Sequence, residues 1–262
     1  MNLTNAEIIS NEQISQRYCH MKIAIPDWSV REVKPGQFFH IRTIDAYSPL
    51  LRRPFSIYRI NEGDNTLEFL YLVKGAGTKV LAERKPKELL DIFGPLGNTF
   101  TIPDRSNGIL LVARGVGIAT LSALAFDAGK NGIPCYAILS ARSKDDILVE
   151  KELEAAGIRT FLVTEQDATS DPRLVKKLAE EIVVEQQIDS IYTCGSKRLS
   201  ILTKEIAEQY HLFAEIALEE NMGCAMGACF ACVCDIQEGD EIRSIRICQD
   251  GPVLPLKKVI LA

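Results

Sequence analysis

The sequence predicts a multidomain chain of β and α/β parts: an antiparallel β-barrel, a doubly wound parallel-sheet domain and a small C-terminal module. Three observations carry that prediction. Short β-branched and aromatic runs broken by Pro, Gly, Asn and Asp occupy residues 1–100, strand and helix patterns alternate over 101–215, and five of the eight cysteines fall within 216–262.

In the first part, Tyr18 to Ile25, Gln37 to Arg42, Phe55 to Ile60 and Leu67 to Val73 read as strands, and their regular spacing fits a small antiparallel barrel. After Pro103 the rhythm changes. Ile109 to Ala113 is a continuous apolar run, as in a strand buried on both faces; Ala119 to Ala128 then reads as a helix, Cys135 to Ser140 as a strand and Asp145 to Ala156 as a second helix. Thr160 to Val163 is a third strand. Asp171 and Pro172 start a helix as N-cap and first helical residue, Ser190 to Thr193 is a fourth strand, and Ser196 caps a helix reaching about Tyr210. The remainder, from Ile216, is the cysteine-rich tail.

With 262 residues, 47% of them hydrophobic and 25% charged, the chain can bury a sizeable core, which excludes a disordered or fibrous protein. Thirty basic residues against 35 acidic ones, a formal charge of -5, exclude a general polyanion binder, and no basic patch points to nucleic acid. Met1 to Ser10 is polar and contains Glu7, so it lacks the basic-then-apolar order of a signal peptide. No apolar run approaches the ~18 residues of a membrane span. The expected compartment is the cytoplasm, where structural disulfides are disfavoured and a local thiol cluster points to a metal or redox site.

That cluster is Cys224, Cys229, Cys232 and Cys248, a C-x4-C-x2-C run with a distant fourth cysteine. This is the plant-type [2Fe-2S] spacing. Backbone N–H groups must approach the bridging sulfides, so the small residues between the ligands, Gly223, Ala225, Gly227, Ala228 and Ala231, are what such a loop requires. Structural zinc is the alternative, but it usually shows two C-x2-C hooks and only Cys229 with Cys232 makes one. Cys234 reads as a spectator thiol on a strand leaving the loop.

In the barrel, Arg53-Pro54-Phe55-Ser56 offers a fixed cationic fork for a diphosphate, a ring to stack beside an isoalloxazine and a hydroxyl within reach of a flavin nitrogen. The alternative puts Arg53 in a surface ion pair and Phe55 in the core. Leu70-Tyr71-Leu72 then leads through Gly75-Ala76-Gly77-Thr78, a strand entering a glycine turn and a helix that can receive phosphate oxygens. Gly94-Pro95-Leu96-Gly97 closes the barrel. At the first βα junction of the next domain stands Gly115-Val116-Gly117, where a dinucleotide pyrophosphate meets a helix N-terminus, and Cys194-Gly195 would share that sheet edge. Glycine pairs also serve tight turns that hold no ligand. No Ser-His-Asp arrangement appears, His20, His40 and His211 are scattered, and no side chain is expected to be catalytic.

Taken together, these residues resemble the ferredoxin reductase-like flavoproteins and, within them, the electron-transfer subunits of NAD-dependent, type B dihydroorotate dehydrogenases. Pro35-Gly36-Gln37-Phe38, Arg53 to Ser56, Gly75 to Thr78, Gly94 to Gly97 and Cys194-Gly195 match the family's pattern, and its order of barrel, nucleotide domain and cluster covers essentially the whole chain. The resemblance implies FAD on Arg53, Pro54, Phe55, Ser56, Leu70, Tyr71, Leu72, Gly77 and Thr78, NAD at Gly115, Gly117, Cys194 and Gly195, and the cluster on Cys224, Cys229, Cys232 and Cys248. It implies electrons arriving from the FMN of a partner catalytic subunit, in a heterotetramer with two of each chain, and leaving to NAD+ within pyrimidine (UMP) biosynthesis. With every segment given to an electron carrier, dihydroorotate oxidation is expected on the partner. Related reductase subunits serving a hydrogenase, a sulfide dehydrogenase or a glutamate synthase-type partner share these motifs, and a zinc-stabilised or redox-sensing binding module is the reading from another class. Two departures stand out: relatives often carry a third glycine where Arg114 stands and a proline at Thr120, and the loop Thr164 to Thr169 lacks their glycines. NAD over NADP comes from the resemblance alone; Arg142, Ser143 and Lys144 can hold a 2′-phosphate, which Asp145 and Asp146 would oppose, and helix capping is an equally good reading of those aspartates.

Overall fold

The computed structural model describes residues 2–43 and 50–261. Its first sheet comprises β1 (Asn2–Gln13), β2 (Tyr18–Ala24), β3 (Phe38–Ile41), β4 (Arg53–Ser56), β5 (Arg59–Asn61), β6 (Thr66–Leu72) and β7 (Leu89–Leu96), with α1 (Ala76–Glu83) between the last two. The strands run antiparallel in the order β4-β3-β7-β1-β2-β6-β5. Alternation decides which face is inside: Thr4, Ala6 and Ile8 of β1 are buried, while Leu3, Asn5, Glu7 and Ile9 between them are exposed. Ile8, Met21, Ile23, Phe39, Phe69 and Leu81 fill the interior.

The run Phe55 to Ile60, expected as one strand, is two. Ile57 still donates to Gln37 beside β3, at 3.3 Å, whereas Tyr58 donates to Glu68 of β6, at 2.9 Å. Because β4 and β5 lie at opposite edges of the sheet and only Ile57 and Tyr58 join them, the sheet must curl until those edges nearly meet. The barrel is therefore a curled, partly open one.

The second sheet contains β8 (Ile109–Arg114), β9 (Cys135–Ala141), β10 (Arg159–Thr164), β11 (Ser190–Cys194) and β12 (Phe213–Ala217), interleaved with α2 (Gly117–Lys130), α3 (Glu150–Ala155), α4 (Pro172–Glu185) and α5 (Lys197–Gln209). All five strands are parallel, in the order β10-β9-β8-β11-β12. Residues of β8 alternate between two cores: Ile109, Leu111 and Ala113 pack with α2, and Leu110 and Val112 with α4 and α5. This double burial is why the strand reads as an unbroken apolar run. Asp171 caps α4 as expected, its side chain accepting from the Arg173 N–H at 2.9 Å.

Asp145 to Ala156 is not one helix. Leu148 and Val149 turn into the core, Val149 taking a left-handed φ of 58°, so that only α3 follows. The tail forms a hairpin of β13 (Val233–Glu238) and β14 (Glu241–Arg246), a short α6 (Ile247–Asp250) and β15 (Val253–Pro255). β15 pairs antiparallel with β12, making the sixth strand of the parallel sheet, and the residue 215/216 division falls inside β12. Among the described residues no helix is long and apolar enough to cross a membrane.

Candidate functional site

A cavity of about 400 Å3 lies where the barrel meets the parallel sheet. It is lined by Arg53, Pro54, Phe55, Ser56, Leu70, Tyr71, Leu72 and Thr78, so eight residues singled out in the sequence are brought together from β4, β6 and α1. Gly77 stands behind them: a Cβ there would come within 3.1 Å of the Arg53 Nε, so glycine lets the guanidinium lie along α1. Among the described residues no carboxylate pairs with Arg53, whose Nη1 donates to the Leu51 carbonyl. An unpaired guanidinium at a cavity rim suits an anionic ligand.

Two roles differ in detail from expectation. The Phe55 ring is buried in the barrel core, edge-on to Tyr71 with centroids 5.5 Å apart. The Thr78 hydroxyl accepts from the Lys74 and Gly75 N–H groups, at 2.9 and 3.2 Å, and so braces the glycine turn from within. The far wall is Val116 and Ala119 at the second glycine turn and the start of α2, together with Leu218 to Met222 and Pro252, which had no sequence signal. Glu219, open to the cavity yet surrounded by protein, has its carboxyl pushed up by desolvation. The buried Cys194 thiol behind it is pushed well up by desolvation and by that carboxylate.

The second glycine turn sits at the strand-order reversal between β8 and β11, the place in such sheets where ligands bind. Its glycines answer first to packing. A Cβ on Gly117 would stand 2.5 Å from the Cys194 carbonyl oxygen, and one on Gly195 would stand 2.7 Å from that of Arg114. Gly115 takes a left-handed φ of 54°. Gly115, Gly117, Cys194 and Gly195 thus form one interlocked edge.

In the tail, Cys224 Sγ accepts from the N–H groups of Met226 and Cys229, both at 3.4 Å, and Cys232 Sγ accepts from that of Cys248 at 3.4 Å. Against opposing desolvation, those two N–H donors hold the Cys224 thiol down at about 7. Burial, with Cys232 beside it, pushes Cys248 up to about 11. Ala225, Gly227 and Phe230 have left-handed φ values of 54°, 77° and 56°, which fold the loop back on itself. A Cβ on Gly223 would lie 3.2 Å from Cys229 Sγ.

Hydrogen bonds to sulfur join the cysteines in two pairs, Cys229 N–H to Cys224 Sγ and Cys248 N–H to Cys232 Sγ. Among the described residues no three His, Cys, Asp or Glu side chains gather as ligands of a single ion. Two pairs fit a two-iron cluster better than one tetrahedral zinc. Cys234 belongs to neither pair; burial and the nearby Glu220 and Asp235 push its thiol up to about 11.

Residues 219–260 match the family model described as the iron-sulfur cluster binding domain of dihydroorotate dehydrogenase B. Over 231 residues, 87% of each chain, the sequence is 36% identical to the dihydroorotate dehydrogenase B (NAD(+)) electron transfer subunit of Bacillus cereus (strain Q1), and the subunit of Bacillus mycoides (strain KBAB4) matches to the same extent over 230 residues. The chain belongs to this family of electron transfer subunits. Its fold is also that of a chain in the NADH-dependent reduced ferredoxin-NADP oxidoreductase structure, with a TM-score of 0.81 at 24% identity over 98% of this chain and 90% of that one. A ferredoxin-NADP+ reductase from Plasmodium falciparum shares it more loosely, with a TM-score of 0.62 at 15% identity over 80% of this chain and 90% of that one. In this chain a curled barrel, a parallel sheet and a cysteine tail that adds the sheet's sixth strand form one framework around the cavity.

Proposed function

We propose that the chain is the electron transfer subunit of a cytoplasmic, NAD-dependent dihydroorotate dehydrogenase, carrying electrons from the FMN of a partner catalytic subunit through a [2Fe-2S] cluster and FAD to NAD+. One observation carries the reading: Leu218 to Met222 line the barrel cavity, and two residues later the chain delivers Cys224, so one short segment serves both cofactor sites. When bound, FAD supplies the exchange between single electrons and a hydride, and the cluster supplies a one-electron relay.

The chain's own residues bind and orient. Arg53, which has no carboxylate partner among the described residues, holds the diphosphate; Pro54, Phe55 and Ser56 and the β6 residues Leu70, Tyr71 and Leu72 set the ring pocket; Gly77 and Thr78 shape the phosphate turn. Tyr71 is held in place by its hydroxyl, which donates to Asn11 Oδ1 at 2.8 Å. Cys224, Cys229, Cys232 and Cys248 hold the iron, and Gly115, Gly117, Cys194 and Gly195 form the edge that receives NAD. Two copies of this chain with two catalytic subunits complete the assembly.

The test is spectroscopic and then biochemical. The purified chain is expected to show flavin bands over a broad iron-sulfur envelope, both bleached by NADH, with Cys224→Ala losing the envelope and Cys234→Ala keeping it. Dihydroorotate oxidation with NAD+ is expected only after an FMN-containing partner is added. A colourless, zinc-containing protein, or oxidation by the chain alone, would overturn the assignment.

A further inference from the structure

The two departures noted in the sequence touch each other. Arg114, at the end of β8, reaches across the end of β9, its Nη1 donating to Ser140 Oγ at 2.8 Å and its Nη2 to Glu165 Oε1, beyond β10, at 2.6 Å. Arg198 of α5 also approaches that Glu165 oxygen, at 3.7 Å. The Arg114 and Glu165 side chains are 19% and 48% exposed, so this is a half-open ion pair of the kind that exchanges partners at little cost.

Other cations face the same turn. The Tyr18 hydroxyl lies 3.3 Å from where a Cβ on Gly115 would stand, and the charges of Arg17, Arg142 and Arg114 act on it, with Asp146 opposing them. Among the described residues neither Arg17 nor Arg142 forms an ion pair with a carboxylate. Arg17 stands over the Tyr18 ring, 5.9 Å from its centroid, and the Arg142 carbonyl accepts from the Gln166 N–H, next to Glu165, at 2.9 Å, so guanidiniums from β8, from the loop after β9 and from the turn before β2 flank the edge where a helix N-terminus and a left-handed glycine already favour an anion.

We propose that Arg114, with Arg17 and Arg142, binds the phosphates of the dinucleotide, and that Glu165 is a placeholder that keeps Arg114 extended until a phosphate displaces it. The proposal rests on reading this edge as the NAD site. A bidentate guanidinium–phosphate contact is stronger than a solvent-screened carboxylate pair, so the exchange runs toward the ligand. The arginine thus does by side chain what a third glycine would leave to the backbone.

Calorimetric titration of the cofactor-loaded protein with ADP-ribose, which carries the diphosphate and no nicotinamide, tests it. Arg114→Ala is expected to weaken binding about tenfold, and Glu165→Gln to tighten it several-fold by freeing the guanidinium. In the double variant the gain from Glu165→Gln disappears, and Lys130→Ala, at the opposite end of α2, leaves the affinity unchanged. A gain of affinity cannot come from misfolding, so Glu165→Gln separates a placeholder from a structural pair. If the wild-type protein binds ADP-ribose while Arg114→Ala binds equally well, or if Glu165→Gln weakens binding as Arg114→Ala does, the inference falls and the NAD site stands. If the wild-type protein does not bind ADP-ribose at all, the NAD site falls with it.

Discussion

His40 occupies β3 at 1% exposure, and among the described residues neither ring nitrogen has a hydrogen-bond partner. Burial, with the Arg52 charge nearby, pushes its imidazole down from 6.5 to about 4. The folded chain thus refuses a proton that the unfolded chain accepts below 6.5. His40's contribution to stability is complete above that pH and is lost as pH falls toward 4, by about 3 kcal/mol. His40→Phe is expected to flatten this slope by about one proton between those limits, measured as urea midpoints against pH; an unchanged slope would remove His40 as the cause. At the same scale, the sequence left Arg53 open between a surface ion pair and an anion site; the structure places it at the cavity without a carboxylate partner among the described residues. The burial of Phe55 was left open too, since a ring that lines a cavity and a ring that fills a core read alike.

Between elements, a tight constraint sits where α2 leaves β8. The Cys194 carbonyl that a Cβ on Gly117 would meet is backbone and cannot swing aside, so Gly117→Ala must push α2 off β11. Overpacking of this kind costs about 1–3 kcal/mol, and a fall in melting temperature of roughly 3–10 °C is expected by differential scanning calorimetry. No fall would mean that the junction yields. This junction and β8 to β11 were legible in the sequence, β8 most clearly because a strand covered on both faces reads as an unbroken apolar run. β12 and β15 were not, since their place depends on partners far along the chain: Ile216 faces Leu254 across the sheet, and no local pattern encodes that pairing. The split at Ile57 and Tyr58 was hidden for the same reason. Asp145 to Ala156 misled because Leu148 and Val149 have helical spacing yet are drawn into the core beside α2.

Across the whole molecule, one apolar cluster unites all three regions. Phe38 and Leu96 from the barrel, Ile216 from the parallel sheet and Cys232, Ile247, Cys248 and Leu254 from the tail are buried against one another. Two of the four proposed cluster ligands therefore sit in the joint between domains. Denaturant is expected to release flavin fluorescence, bleach the iron-sulfur absorbance and abolish far-ultraviolet dichroism in coincident transitions. Separated midpoints would show that the regions unfold independently.

The pairing of β15 with β12 has a further effect. Without the tail, β12 would present a row of open N–H and C=O groups, the kind of border on which another chain's strand can nucleate. In the folded chain the border is instead a three-residue strand ending in Pro255, which has no N–H to offer. That strand follows Cys248 by only a few residues, so the segment that carries a proposed iron ligand also shields the sheet border against aggregation.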